Sequence, residues 1–223
     1  AFSSRGPTQD KRIKPDLVAP GTNIVSVRSQ HPKAGKLWGE FSKDYLYSGG
    51  TSMAAPLVAG AALVTRQYLI QMKEIPNPSA ASIKATLIHT AKDLFPGQYG
   101  RGQGQELEKT RPNVHEGYGL VDMERLTLAT NMATLIDNTT GVGLGELSVT
   151  EFTVQPGQGL RATLVYTDAP ASADAAIALV NDLDLEVTDP NGVVTSLNDH
   201  INNVEMIELQ NIPAGIYKVA VKG

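Results

Sequence analysis

One short segment constrains this chain more than any other: residues 50–56, Gly-Thr-Ser-Met-Ala-Ala-Pro, in which a glycine turn leads directly into small apolar residues. Glycine allows a sharp turn and the close approach of another backbone. The residues after it predict a helix from Ser52 to about residue 72, whose first half is apolar on every face and is therefore expected to be buried all round. A serine at a helix start lies beside free N–H groups and the positive end of the helix dipole, which suits an oxyanion. Spacing alone nevertheless favours a plain helix cap, because serine is common in that role.

The first 134 residues alternate helical patterns with glycine turns. Strands are predicted at 13–19 and 23–28, followed by a polar surface excursion at 29–47. A second helix is predicted after Asn77-Pro78, because Ile83, Leu87 and Ala91 recur at near-helical spacing. A glycine-rich loop at 97–114 and a short helix ending near residue 129 complete this region.

Residues 135–223 have a different pattern, in which short segments of alternating character are separated by turn signals such as Pro156-Gly157 and Asn191-Gly192. Strands are predicted at 147–154, 160–167, 183–187, 204–209 and 216–221. Short strands at regular spacing are typical of an antiparallel sandwich or jelly roll. The sequence therefore predicts two domains with a boundary near residue 135.

Composition excludes several classes of function. The net charge of −4 leaves no basic surface for nucleic acid, and the absence of cysteine excludes a disulfide framework, a thiolate nucleophile and a cysteine zinc site. No stretch is predicted to be a signal peptide or a membrane span, since the longest apolar run, 53–64, is short and contains Pro56 and Gly60.

The string at 50–56 closely resembles the serine motif of the subtilases, the subtilisin-like serine proteases. Residues 1–7, Ala-Phe-Ser-Ser-Arg-Gly-Pro, and 14–21, Lys-Pro-Asp-Leu-Val-Ala-Pro-Gly, resemble the segment that precedes this motif in the family. The resemblance implies that residues 1–134 are the C-terminal portion of an α/β, doubly wound peptidase domain. It also implies a secreted serine endopeptidase that acts on proteins or peptides, with Ser52 as nucleophile and Gly50 and Thr51 supporting the turn and the oxyanion.

The second region carries a resemblance of its own. Residues 165–171, Val-Tyr-Thr-Asp-Ala-Pro-Ala, and 179–185, Leu-Val-Asn-Asp-Leu-Asp-Leu, are similar to the C-terminal β-barrel of the KP-43-type alkaline proteases. The expected fold is thus a partial subtilisin-like α/β domain followed by an all-β, jelly-roll-like domain, both truncated.

A serine hydroxyl needs an adjacent base, and the triad of this family runs in the order Asp, His, Ser. The family's Asp-Thr-Gly and His-Gly-Thr motifs and its oxyanion asparagine are absent here, and none of the four histidines has a motif neighbour: His31, His89, His115 and His200. Asp16 is interpreted as a structural carboxylate of a turn or a strand end, not as the triad aspartate. We therefore expect this polypeptide to be inactive without the N-terminal part of its own catalytic domain, and to expose apolar surface in isolation. The alternative is a non-catalytic binding or scaffolding module, with no nucleic-acid or membrane partner under either interpretation.

A structural calcium site is also expected in the second region. Asp168, Asp182 and Asp184 cluster with Asn181 in two loops, and carboxylate and amide oxygens are the ligands that Ca²⁺ prefers. Aspartates in turns often face only water, and the sequence alone favours that alternative. The resemblance implies calcium-bound loops in related β-barrels, with Asp199 and Glu205 as weaker candidates.

Overall fold

The computed structural model describes residues 2–129 and 133–223. In chain order its helices and strands are β1 (Ile24–Val27), β2 (Tyr45–Ser48), α1 (Thr51–Met72), α2 (Ala80–Thr90), α3 (Met123–Ala129), β3 (Leu147–Val154), β4 (Leu160–Val165), β5 (Asp184–Thr188), β6 (Val194–Leu197), β7 (Val204–Leu209) and β8 (Gly215–Lys222). The three helices lie in the first region and the larger sheets in the second, as the sequence predicts.

The strands before α1 form a small antiparallel ribbon. β1 pairs with β2 so that Val25 lies opposite Tyr47. The prediction of a strand at 13–19 is wrong, because that segment forms only an isolated parallel bridge between Val18 and Leu120. Pro15 has no N–H to donate to a ladder, which weakens pairing along the segment.

Helix α1 confirms the predicted position but not the predicted burial. Its buried residues are Ala61, Thr65 and Leu69, on one face. Leu57, Leu63 and Val64 are 43%, 70% and 53% exposed. Helix α2 packs against α1 and covers only part of its circumference. The expectation of all-round burial is therefore wrong for this chain, whereas the expected exposed apolar surface is present.

Helix α1 is also longer than the apolar run seen in the sequence. It extends over 22 residues and, by length and composition alone, could cross a membrane. The core helix of a soluble domain has the same length and composition, so this property is weak evidence for a membrane span.

Two antiparallel sheets form the second region. One has the strand order β3-β8-β5-β6 and the other pairs β4 with β7. Their shared core combines Val154 and Tyr217 from the larger sheet with Ala162 and Ile207 from the smaller one. The described residues therefore form an antiparallel sandwich that does not close into a barrel. The jelly-roll topology stays a prediction.

The sandwich packs directly on the helical region. Ile88 of α2 and Tyr118 are buried together with Val204 and Met206 of β7 in one apolar cluster. The Tyr118 hydroxyl donates a hydrogen bond to the Val204 carbonyl at 2.9 Å. The two regions thus share buried residues across the predicted boundary.

A cluster of three charged side chains, Arg111, Arg161 and Glu208, lies at this junction and is called the Glu208 cluster below. Arg111 Nη2 donates to both carboxylate oxygens of Glu208 at 2.8 Å, and Arg161 Nη2 lies 2.5 Å from Glu208 Oε1. Arg111 Nη1 also donates to the carbonyl oxygens of Ala91 and Tyr118. The cluster therefore joins β4 and β7 to the end of α2 and to the loop before Tyr118.

Candidate functional site

The turn that precedes α1 requires glycine at position 50. Gly50 has φ +143°, in the region that favours glycine. Its N–H donates to the Gly21 carbonyl at 2.7 Å. A Cβ atom on Gly21 would lie 2.8 Å from the Gly50 carbonyl oxygen. The Pro20-Gly21 loop and the turn thus pack backbone against backbone, and together they set where α1 begins.

Ser52 is the second residue of α1, and it is exposed. The cap position belongs to Gly50, and no side chain caps the helix. Within residues 2–129 and 133–223, the Ser52 hydroxyl makes no hydrogen bond. The interpretation of Ser52 as a plain helix cap is therefore wrong, and its hydroxyl is available for other chemistry.

Within the described chain, the first turn of α1 leaves the Ser52 N–H free, whereas the next two N–H groups are occupied. Met53 N and Ala54 N both point to the Gly50 carbonyl, at 3.0 and 3.4 Å. The Ser52 N–H belongs to the first turn, whose N–H groups have no partner within the helix. Because the positive end of the helix dipole lies at the same place, a negative oxygen bound beside Ser52 would be stabilised. Thr51 occupies the first helical position, beside Gly50.

The structure places the histidines away from this turn. All four contact groups outside the Ser52 turn: His31 contacts the Lys33 N–H, His89 contacts Thr163, His115 contacts Glu108 and His200 contacts Asp182. Burial, and then the charge of Arg161, lower the pKa of His89 to about 4. No histidine of the described chain contacts Ser52, so the described residues do not supply a base for it.

Asp16 has a structural environment, as expected. Its carboxylate pairs with Lys14 and, at 2.9 Å, with Lys84 of α2. Burial alone would raise the pKa of Asp16, but the two lysines outweigh it and lower the pKa. Asp16 therefore anchors the segment before β1 to α2.

Asp168 closes a loop. Its carboxylate accepts hydrogen bonds from the N–H groups of Ala169, Val180 and Asn181, at 2.7 to 3.0 Å, and from the Asn181 side chain. Burial alone would raise the pKa of Asp168, but these hydrogen bonds outweigh it and lower the pKa. The carboxylate thus joins the two ends of residues 168–181.

The other two predicted ligands do lie together, with a residue that the sequence did not place beside them. Asp182, Asp184 and His200 each offer one ligand atom, and these atoms lie within 4.8 Å of one another. His200 Nδ1 is 2.5 Å from Asp182 Oδ2, and this hydrogen bond raises the pKa of the histidine. Asp184 Oδ1 is buried and has no hydrogen-bond partner within the described chain. His200 reaches this cluster only because the fold brings together loops that are far apart in sequence. The spacing of residues along the chain therefore does not predict this contact.

Glu205 lies behind this cluster in β7 and is 2% exposed. Its carboxylate accepts hydrogen bonds from the N–H groups of Leu185 and Asp199, at 2.6 and 3.3 Å. Burial, reinforced by the charges of Asp184 and Asp199, raises its pKa to about 7. The sequence signal for this buried acid is a carboxylate between the two apolar residues Val204 and Met206.

The chain is similar in sequence to several serine proteases. A sequence model of the subtilase family, Peptidase_S8, matches residues 1–119. The serine protease/ABC transporter B family protein tagA of Dictyostelium discoideum is 30% identical over 261 aligned residues, which cover 100% of this chain and 14% of that protein. The serine protease AprX of Bacillus subtilis is 39% identical over 46% of this chain and 23% of its own length.

The minor extracellular protease Vpr of Bacillus subtilis is 44% identical over 42% of this chain and 10% of its own length. The chain spans 14% to 15% of the length of tagA and of two similar Dictyostelium proteins, tagD and tagB. The family match includes the Gly21 loop, the Gly50 turn and the exposed Ser52, and on this evidence the chain belongs to the subtilase family.

Proposed function

We propose that the protein containing this chain is a serine endopeptidase that hydrolyses peptide bonds through an acyl-enzyme on Ser52. The observation that carries the proposal is the exposed Ser52 hydroxyl, presented by the Gly50 turn at the start of α1 and engaged in no cap. The kinship with serine proteases supports the reaction class.

In this mechanism the Ser52 oxygen attacks the scissile carbonyl while a base accepts its proton. The carbonyl oxygen becomes negative, and the Ser52 N–H at the positive end of α1 donates to it. Collapse of the tetrahedral intermediate releases the amine half of the peptide, and water then hydrolyses the ester on Ser52. The base and the second oxyanion donor come from outside these 223 residues. We therefore propose that the 223-residue polypeptide alone hydrolyses no peptide.

The test uses the full-length protein and a fluorophosphonate, which reacts with activated serines. We expect labelling at Ser52 and hydrolysis of casein, both of which Ser52→Ala abolishes. Ser148→Ala in β3 is the matched control, because that serine is also exposed. Casein hydrolysis that survives Ser52→Ala would refute the proposal. An intact protein without labelling or hydrolysis would favour a non-catalytic binding or scaffolding role.

We also propose that the protein acts outside the cell, on protein or peptide substrates. The support is the similarity to Vpr, which is named an extracellular protease. Detection of the protein in culture medium, compared with the cell pellet, tests this proposal.

We further propose that Asp182 and Asp184 bind a structural calcium ion. The buried Asp184 oxygen without a partner fits a cation ligand, and Asp182 lies next to it. Asp168 fits less well because its carboxylate already accepts the hydrogen bonds that close its loop. When bound, calcium would supply only a structural link between Asp182 and Asp184, at the start of β5.

Thermal unfolding in calcium and in EGTA tests this link. When the free calcium concentration is about 100 times the dissociation constant of the site, binding adds about 2.7 kcal/mol to the free energy of unfolding. We expect that gain in the wild type and its loss in Asp184→Asn, with Asp174→Asn as the matched control. Equal melting in calcium and EGTA would contradict the proposal. A gain with zinc that requires His200 would point instead to a transition metal.

A further inference from the structure

We propose that Trp38 forms one wall of the substrate cleft beside Ser52 and contacts an apolar or aromatic side chain of the peptide next to the scissile bond. The inference rests on the proposed function, because it assigns a specificity role within the Ser52 site. It concerns the excursion at 29–47, which the sequence predicts to be polar and solvated. The structure instead finds aromatic residues exposed there.

The indole of Trp38 lies against the backbone of Gly49. A Cβ atom on Gly49 would lie 1.9 Å from Trp38 Cη2 and 2.3 Å from both Cζ2 and Cζ3. The ring therefore occupies the space that a side chain at position 49 would need. Three residues of chain span at most about 11 Å, so the indole borders the turn that carries Ser52.

Backbone hydrogen bonds hold the segment that carries Trp38 in place. Trp38 N donates to the Tyr47 carbonyl at 3.1 Å, and Tyr47 N donates to the Gly39 carbonyl at 2.9 Å. The rings of Phe41 and Tyr47 pack edge to face with centroids 5.5 Å apart. Glu40 forms an ion pair with Arg28 of the chain following β1, at 2.8 Å. Trp38 is thus fixed beside the turn before any ligand arrives.

Half of the Trp38 surface remains open to solvent, at 50% exposure. Phe41 and Tyr45 from the same hairpin are 57% and 46% exposed. A large aromatic ring gains free energy when an apolar partner covers it. Ser52 would hold the scissile carbonyl, and a reach of about 11 Å corresponds to about three residues of extended chain. The substrate side chains within reach of the indole are therefore those nearest the scissile bond. The position beside the Ser52 turn favours a substrate side chain, rather than the N-terminal part of the domain, as the partner that covers the ring.

The test compares hydrolysis by the full-length wild type and Trp38→Ala. Two peptide series vary one residue, alanine or phenylalanine, either before or after the scissile bond. We expect the preference for phenylalanine, measured as a ratio of kcat/KM values, to fall about three- to tenfold in one series, the range of one aromatic contact. An unchanged ratio in both series overturns the inference.

Gly49→Ala probes the same wall without removing the tryptophan. The added Cβ displaces the indole, and Gly49 is not among the residues with positive φ, so the backbone accepts alanine. We expect a loss of phenylalanine preference similar to that in Trp38→Ala. Gly35→Ala is the matched control within the same excursion, because a Cβ there has nothing within 4 Å. It should leave the preference unchanged.

A second readout separates this inference from the proposed function. In a Ser52→Ala background, the emission of Trp38 is isolated by subtracting the spectrum of the protein that also carries Trp38→Phe. Trp38 is the only tryptophan in these 223 residues. A spectral shift on adding the phenylalanine peptide, and none with the alanine peptide, supports the wall even if no hydrolysis is found. Unchanged emission with both peptides overturns it.

Discussion

The Glu208 cluster gives the sharpest test of how the sandwich is held to the helical region. Glu208→Gln keeps the shape of the side chain and removes its charge. Arg111 then stays 5% exposed without a carboxylate to neutralise it. Removal of one partner from a buried ion pair costs about 3–5 kcal/mol. Since Glu208 itself is 25% exposed, water reduces the loss, and we expect about 2–3 kcal/mol.

The assay is urea denaturation followed by far-ultraviolet circular dichroism at neutral pH. Glu151→Gln is the matched control, because its pair with Lys218 is 3.6 Å long and both side chains are more than half exposed. Exposed pairs contribute less than about 1 kcal/mol. If Glu208→Gln destabilises the protein no more than Glu151→Gln does, the cluster does not hold the two regions together.

The same variant carries a pH signature. Burial alone would raise the pKa of Glu208, but Arg111 and Arg161 outweigh it and lower the pKa below its ordinary value of 4.5. A carboxylate with a lowered pKa stabilises the folded state above pH 4.5 and loses that contribution as the pH falls through its folded-state pKa. The difference between the wild type and Glu208→Gln should therefore shrink below that pH.

Three further predictions follow from buried or strained positions. Burial lowers the pKa of His89 from 6.5 to about 4. As the pH falls, the histidine therefore becomes protonated in the unfolded chain before it does in the folded one, and about 2–3 kcal/mol of the free energy of unfolding should be lost between pH 6.5 and 4. Urea titrations across that range should show a shallower loss in His89→Gln. Tyr118→Phe removes the hydrogen bond to the buried Val204 carbonyl and should cost about 1–2 kcal/mol in the same assay. Gly50→Ala forces alanine to φ +143°, which should cost about 1–3 kcal/mol and slow fluorophosphonate labelling of Ser52; wild-type labelling would contradict it.

Strong local signals predicted much of the fold. Glycine before small apolar residues located α1, and Ser79 caps α2 by accepting a hydrogen bond from the Ser82 N–H, just after the Asn77-Pro78 signal. Short strand-like segments between turn signals located β3 and β7 to the residue. β6 was missed because all four of its residues are exposed, so no alternation marks it. β2 was missed because only its pairing with β1 distinguishes it from the excursion before it.

The site divides in the same way. The Ser52 turn was predictable because glycine geometry and helix polarity act within a few residues of chain. His200 beside Asp182 and Trp38 over Gly49 were not, because each contact joins residues that only tertiary structure brings together. The burial of α1 was mispredicted for a related reason. A uniformly apolar helix indicates that all of its faces can be buried. It does not indicate whether this chain contains the elements that would cover them.

The contacts of the second region end on the helix that supports α1. β4 packs on α2, and α2 packs on α1. The Glu208 cluster reaches the carbonyl of Ala91, which follows α2 directly. Helix α1 presents Ser52 at its N-terminus and exposes much of its own surface. Within the described chain, α2 is therefore a main packing partner that can fix the position of α1. The sandwich therefore contributes to the placement of Ser52 through α2. Damage to the Glu208 cluster should reach Ser52 as a loss of stability rather than as a change in its immediate contacts.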